Sequence, residues 1–221
     1  MRNPTATVIR SLNGAAEADG RTRAMSTKYE SNRDEILRIS AELFAKSGYH
    51  GTGMADLGAA AGLGRGALYH YIGSKEAILY EISSRQVAQM NALADELALT
   101  ERDPEKRLRG LARALMRNIA EHRAEWTVFF REYHALTGER RDKVIAARER
   151  YEAHWRAALD QAVRDGQFHP LPPLMVKGLL GMFNYSYLWL TTDGTRSPEQ
   201  IADDFLDTVI VGMSAPPAND S

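Results

Sequence analysis

The sequence predicts an all-α fold of about nine helices. Three observations lead there. Apolar residues recur at intervals of three and four in almost every long segment. No run alternates apolar with polar between hairpin turns. The composition is that of an ordinary globular chain, with 44% hydrophobic and 26% charged residues. A chain of 221 residues hides roughly 70% of its extended surface on folding, so its core needs no disulfide or metal staple.

The elements follow in order. Residues 1–27 read as a flexible N-terminal arm, with Arg2, Arg10, Arg21 and Arg23 and no continuous apolar stretch of signal-peptide type. Ile36, Ile39, Leu43 and Phe44 define the first helix, with Asn32 and Glu35 spaced as a capping pair and Gly48 as its stop. Met54 to Ala61 is a short helix, Gly62-Leu63-Gly64 a turn, and Arg65 to His70 a second short helix. Lys75 opens a long helix striped with Ile78, Leu79, Ile82, Val87, Met90, Leu93 and Leu97. Asp103-Pro104 starts another, because proline at the first helical position lacks only an N–H that would be unpaired anyway. Leu108, Leu111, Leu115 and Ile119 form its stripe. An aromatic-rich helix spans Ala124 to Thr137, and a long charged one Glu139 to Arg164. Gly166 and the run His169-Pro170-Leu171-Pro172-Pro173 form a rigid connector. Leu174 to Thr191 and Pro198 to Met213 are the last helices, and 214–221 is a tail.

Charge and composition exclude several classes of function. Lys and Arg number 28 against 29 acids, a net charge of −1, so this is not a protein that coats nucleic acid indiscriminately. The chain has no cysteine, which removes disulfide scaffolds, zinc–thiolate sites, iron–sulfur clusters and thiol nucleophiles and fits a reducing cytoplasm. The longest uncharged run, Gly178 to Thr192, falls short of the roughly 18 residues a bilayer span needs, so no membrane association is expected. The six histidines form no i, i+4 pair and no carboxylate partner sits at metal spacing. Glycine-rich phosphate loops and nucleophile elbows are missing too. No enzyme, catalytic residue, metal or cofactor is expected.

The informative region is Gly51 to Lys75. Two short helices across a glycine-bearing turn make a helix-turn-helix, with Ala55, Leu57 and Ala61 as its packing face. No acid occurs from Leu57 through Ser74. The second helix offers Arg65, Gly66, Tyr69 and His70: donors for phosphates, a flat ring for sugar, and a glycine that permits close approach. Lys75 stands at a helix N-terminus, where free N–H groups and the dipole already favour a phosphate. A helix-turn-helix-shaped packing module without DNA binding is the alternative; it predicts that Arg65, Tyr69 and Lys75 are buried or paired.

The segments Tyr49-His50-Gly51-Thr52, Ala55-Asp56-Leu57-Gly58 and Gly62-Leu63-Gly64-Arg65-Gly66-Ala67-Leu68-Tyr69-His70-Tyr71-Ile72-Gly73-Ser74-Lys75-Glu76-Ala77-Ile78-Leu79 resemble the DNA-binding segment of the TetR family of transcriptional repressors. The resemblance runs from Ser31 to Tyr80 and implies a helix-turn-helix domain over 28–75, followed by an effector-binding and dimerisation domain over 76–213. It assigns Leu63 to His70 to the turn and recognition helix and Tyr69 and Lys75 to phosphates. Arg65, Gly66, Ala67 and His70 fall to base edges or the adjoining backbone. Gly53 and Gly64 stand where the family commonly has Thr or Ser as helix caps; Thr52 is the substitute donor for the missing hydroxyl, and Gly64 stays in the DNA-facing set. Ile72 replaces a common Phe, a matter of packing. The expected function is a cytoplasmic, ligand-responsive repressor that binds a pseudo-palindromic double-stranded operator as a homodimer.

In the larger domain the aromatics cluster by helix: Trp126, Phe129, Phe130, Tyr133 and His134; then Tyr151 and Trp155; then Phe183, Tyr185, Tyr187 and Trp189. Aromatic walls with a few polar tips suit an apolar or ring-bearing effector. The expected ligand set is Trp126, Phe130, Tyr133, His134, Arg148, Tyr151, Trp155, Phe183 and Tyr187. Val128 to Tyr133, the helix ending at Trp155, and Asp165 to Phe168 also look like a TetR subgroup that senses acyl-CoA thioesters. That likeness implies Trp155 and neighbouring arginines at the nucleotide end and the other aromatics at the acyl end. For the dimer, the last two helices offer Leu179, Met182, Phe183, Leu190, Phe205 and Val209, with Gly178 and Gly181 permitting close helix approach.

Overall fold

The computed structural model describes residues 28–214, so the arm over 1–27 and the tail beyond Ser214 lie outside it. Nine α-helices occur among the described residues, and no strand: α1 (28–47), α2 (Met54–Ala60), α3 (Arg65–Ile72), α4 (Lys75–Thr100), α5 (Pro104–Glu121), α6 (Arg123–Glu132), α7 (Gly138–Arg164), α8 (Met175–Asn184) and α9 (Pro198–Met213). Tight 3₁₀ turns follow α6 (Tyr133–Ala135) and α8 (Tyr185–Leu188). One isolated antiparallel bridge joins Phe168 to Ser214.

Helix ends are set by local chemistry. Ser74 accepts the Ala77 N–H at 3.0 Å to start α4, and Asp103 accepts the Lys106 N–H at 3.0 Å to start α5, with Pro104 at its first position. Ser197 and Gln200 satisfy each other's backbone N–H groups at the start of α9. Two expected boundaries move. Helix α1 begins upstream of the Asn32–Glu35 pair: Asn32 donates instead to the Tyr71 hydroxyl at 3.1 Å, and Glu35 pairs with Arg38 at 2.6 Å. Helix α8 ends at Asn184 rather than continuing to Thr191, because Arg123 of α6 donates to the Tyr187 and Leu188 carbonyls at 3.1 and 2.9 Å. Those carbonyls no longer need a following helical turn.

The core of the larger domain forms where α4 packs on α7 and α6, and α5 packs on α9 and α7. Leu108, Leu111, Leu115, Met116 and Ile119 make α5 the central helix. Arg109, Arg113 and Arg117 run down its outer side against Asp207, Asp203 and Glu199 of α9. Both series step by four residues in opposite senses, so the ion pairs fix an antiparallel register while each contributes only about 0.2–1 kcal/mol. Helix α4 also buries polar residues that its apolar stripe does not foretell, namely Ser83, Gln86 and Asn91. Asn91 donates to the Ala147 carbonyl at 2.9 Å and so pins α4 to α7.

Candidate nucleic-acid interface and effector cavity

The α2–α3 unit is small, and backbone contact holds it together. A Cβ on Gly58 would meet the Leu63 carbonyl at 2.9 Å, and that same carbonyl belongs to the residue whose N–H donates to Gly58 O at 2.8 Å. Only glycine permits so close a crossing. Gly62, at φ +63°, then turns the chain through the left-handed region. Helix α3 anchors itself with Leu68 and Ile72, both buried in the core that also holds Phe44 of α1 and Leu79 of α4.

Tyr71, half-buried, packs against that core, and the other residues of α3 face outward. Arg65, Gly66, Ala67, Tyr69 and His70 are all exposed, and Gly64 caps the helix from the same surface. The Arg65 guanidinium lies 5.7 Å from the Tyr69 ring centre. Tyr29 of α1 stacks on Tyr71 at 4.8 Å and donates to the His70 carbonyl at 3.3 Å, steadying the end of α3.

Thr52 and Lys75 are differently placed. Thr52 is buried and its hydroxyl donates to the Gly48 carbonyl at 2.9 Å, so it does not offer the free hydroxyl expected of it. Lys75 is half-buried; its ammonium donates to the Tyr49 and Thr52 carbonyls at 2.9 and 3.0 Å and sits 4.4 Å from the Tyr49 ring centre. Two of its three donors therefore hold the α1–α2 loop, leaving one for a phosphate. The packing-module alternative predicts pairing for Lys75, and in this respect it is met; Arg65 and Tyr69 are exposed and make no ion pair or side-chain hydrogen bond among the described residues, against it.

Three contacts tie this unit, and the start of α4 that follows it, to the α6–α7 elbow. Glu132, the last residue of α6, accepts the Tyr49 N–H at 3.2 Å. Glu76 accepts the Thr137 N–H and hydroxyl at 3.2 and 3.0 Å, and pairs with Arg140 at 3.2 Å. The Thr137 backbone N–H first, then its hydroxyl and Arg140, hold the Glu76 carboxyl below the ordinary carboxylate range. Neither Glu76 nor Glu132 is distinguishable in the sequence from any surface acid.

A cavity of about 200 Å³ opens beside that elbow. Trp126, Phe129 and Phe130 of α6 form its apolar wall, and Arg148, Glu152 and Lys177 stand at its polar side. Arg148 lies 4.6 Å from the Tyr133 ring centre, which fixes the guanidinium over the aromatic wall. Of the expected ligand set, Trp126, Phe130 and Arg148 line the cavity, with Tyr133 behind Arg148. Tyr187 lies on the far side of Phe130 at 5.1 Å, and His134 faces solvent. Tyr151, Trp155 and Phe183 are core residues: Trp155 and Phe183 are fully buried with rings 5.5 Å apart, and burial raises the Tyr151 hydroxyl well above its usual pKa. Placement of Trp155 at a nucleotide end is thus corrected; α7 turns that face toward α5 and α8.

The expected dimer residues divide likewise. Leu179, Phe183 and Leu190 are buried in the subunit's own core, whereas Met182, Phe205 and Val209 keep accessible surface. Tyr185, Trp189 and Val211 are exposed on the same two terminal helices or just after α8, and the ring centres of Trp189 and Phe205 lie 6.2 Å apart. Gly178 and Gly181 are exposed, with open space where a side chain would stand. Sequence periodicity could not find Trp189 or Val211, because it cannot tell which apolar face the domain itself covers.

Comparison with known proteins bears on most of the chain. Residues 36–82 match the family model described as bacterial regulatory proteins, tetR family, and residues 101–213 match that for the tetracyclin repressor-like C-terminal domain. The transcriptional repressor KstR2 of Mycobacterium tuberculosis is 26% identical over 187 residues, covering 83% of this chain and 94% of that protein. The crystal structure of the regulator PfmR from Thermus thermophilus has a TM-score of 0.74 and 34% identity, over 80% of this chain and 97% of that one. A second structure, AibR in complex with isovaleryl coenzyme A and operator DNA, has a TM-score of 0.71 and 28% identity, over 84% of this chain and 99% of that one. Among the described residues no helix is long and apolar enough to cross a membrane.

Proposed function

We propose, for a chain that belongs to the TetR family of transcriptional regulators, that residues 28–75 read an operator and residues 76–213 bind an acyl-CoA effector and a second copy of the chain. The protein is a ligand-responsive, DNA-binding repressor and not an enzyme. One observation carries the residue assignment: α3 spends Leu68, Tyr71 and Ile72 on its anchorage and turns Arg65, Gly66, Ala67, Tyr69 and His70 outward, in a stretch without acids. Arg65 and His70 supply donors, Tyr69 a flat ring, and Gly66 and Ala67 room for close approach. Lys75 adds its remaining N–H at the start of α4.

As a homodimer through Met182, Phe205, Val209 and the exposed Trp189, two copies of α3 stand about 34–36 Å apart, or a multiple of that, on a pseudo-palindrome. The place of action is the cytoplasm, where such an operator is. The effector reading is supported by the aromatic wall of the cavity, by Arg148 above it, and by the isovaleryl coenzyme A bound to AibR. A ligand between α6 and α7 moves the elbow that Glu132 and Glu76 connect to the DNA-binding unit. It releases DNA only to the extent that it prefers a spacing of the two reading helices that does not fit adjacent grooves.

Fluorescence anisotropy with the upstream intergenic duplex tests the assignment. Arg65→Ala combined with Tyr69→Ala should weaken binding about 100-fold, from two contacts of about 1–3 kcal/mol each. Binding equal to the parent's would mean that α3 does not read the DNA. In a second arm, isovaleryl-CoA should raise the melting temperature and release the duplex; an unmoved melting temperature across a short-chain acyl-CoA series rejects that effector class.

A further inference from the structure

Between the DNA-binding unit and the larger domain lies a second, more open crevice of about 500 Å³. The end of α1 forms one side; α6 and the turn after α8 form the other. Three cations line it: Lys46 from α1, and Arg123 and Arg131 from α6. None of the three has a carboxylate partner among the described residues. The one lining acid, Glu42, already pairs with Arg38 at 2.5 Å. Arg123 is held in place by its bonds to the Tyr187 and Leu188 carbonyls, which use Nε and Nη2 and leave Nη1 uncommitted. Arg131 lies 5.9 Å from the Tyr187 ring centre. The Tyr187 ring is in turn 5.1 Å from Phe130, which lines the effector cavity. The two concavities are therefore back to back across one pair of rings.

Three like charges around one concavity repel each other and together attract a polyanion. Guanidinium groups suit phosphate oxygens, and a tyrosine ring suits a flat base. We propose that this crevice binds a multiply charged phosphate group carried on an aromatic base, the chemistry of the nucleotide end of coenzyme A. One acyl-CoA molecule then reaches from the effector cavity past Phe130 and Tyr187 to α1. This rests on the acyl-CoA reading above and replaces Trp155 with Lys46, Arg123 and Arg131 as the nucleotide contacts. Its consequence is mechanical. The phosphates bridge α6 to the helix that carries the DNA-binding unit, so operator and ligand must alter each other's affinity by the same factor.

Calorimetry on the full chain, with adenosine 3′,5′-bisphosphate as probe, tests the proposal. Lys46→Ala with Arg131→Ala alters two exposed side chains, and an unchanged melting temperature checks that the variant folds. The bisphosphate should lose at least about tenfold in affinity in this variant, each lost charged contact being worth about 1.4 kcal/mol or more. Arg164→Ala, an exposed cation elsewhere, should leave its affinity unchanged. Equal affinity in parent and double variant, or no binding to the parent, overturns the site. Inorganic pyrophosphate binding as tightly as the bisphosphate overturns the assignment of a base to Tyr187. If isovaleryl-CoA releases DNA equally from parent and double variant, the crevice assignment falls and the effector reading stands. If the bisphosphate behaves as expected while no acyl-CoA releases DNA, the effector reading falls and the crevice remains an anion site.

Discussion

Helices α3 and α7 both carry arginine and aromatic residues, and they dispose of them in opposite ways. In α3, eight residues long, Arg65, Tyr69 and His70 face solvent while Leu68, Tyr71 and Ile72 hold the helix down. In α7, of 27 residues, Tyr151 and Trp155 are buried and Arg148 is clasped between Phe129 and Tyr133. A short helix on a small support has one narrow face to bury, so most of its other side chains are exposed whatever their type. A long helix flanked by α4, α5 and α8 has several faces to cover, and aromatic area is what covers them. The exposed Tyr69 on α3 therefore signals function, whereas Tyr71 at the edge of its buried face and Tyr151 and Trp155 on α7 signal packing.

The contrast can be broken at several points. The largest effect belongs to the core: Phe183→Ala should cost about 3–5 kcal/mol in thermal or urea unfolding, since it empties space beside Trp155. A loss under about 1 kcal/mol would place that ring in a ligand cavity instead. Next comes the helix-turn-helix crossing. Gly58→Ala sets a Cβ against the Leu63 carbonyl and should destabilise by about 1–3 kcal/mol while weakening operator binding.

Gly66→Ala sharpens the comparison, because open space surrounds that position. It should raise stability by about 0.5–1 kcal/mol, yet lower operator affinity if DNA approaches there. Unchanged affinity would remove Gly66 from the interface.

Two pH effects are smaller. The Glu76 carboxyl is held below its ordinary range, so its contacts with Thr137 and Arg140 are intact above that range and lost as pH falls through the lowered value. Glu76→Gln should accordingly leave operator affinity near the parent's and diminish the factor by which effector changes it. His169 has the opposite sign. Its ring nitrogens lie 2.9 Å from the Pro170 carbonyl and 2.8 Å from that of Gly212, and these two acceptors raise its pKa above 6.5. Both contacts need a proton, so their stabilisation is present below pH 6.5 and is lost as pH rises through the raised value. A ring-proton NMR titration with a midpoint below 6.5 would contradict the geometry.

Much of this architecture was readable in the chain. Ser74-Lys75, Asp103-Pro104 and Ser197-Pro198 start α4, α5 and α9 where the spacing predicts, since capping is settled by neighbours within one turn. The dense motif from Tyr49 to Leu79 marked α2 and α3 for the same reason: Gly58 and Gly62 answer to local geometry. The effector region was legible only in kind. Its periodicity gave a stripe for α5 and an apolar run for α8, but Trp155, Phe183 and Leu179 carry the same pattern whether they meet a ligand, a second subunit or their own core.

What the residues determined unaided is therefore the helical class, most helix starts, and the identity of the outward face of α3. Which aromatic rings line a cavity, that Thr52 and Lys75 spend donors on the α1–α2 loop, and that Lys46 meets Arg123 and Arg131 across a crevice were decided by packing. The physical reason is range. Caps, turns and helical periods depend on residues within about four positions of one another. A pocket or a charge cluster depends on which of several compatible faces meet, and here they come from helices about 80 residues apart in the chain.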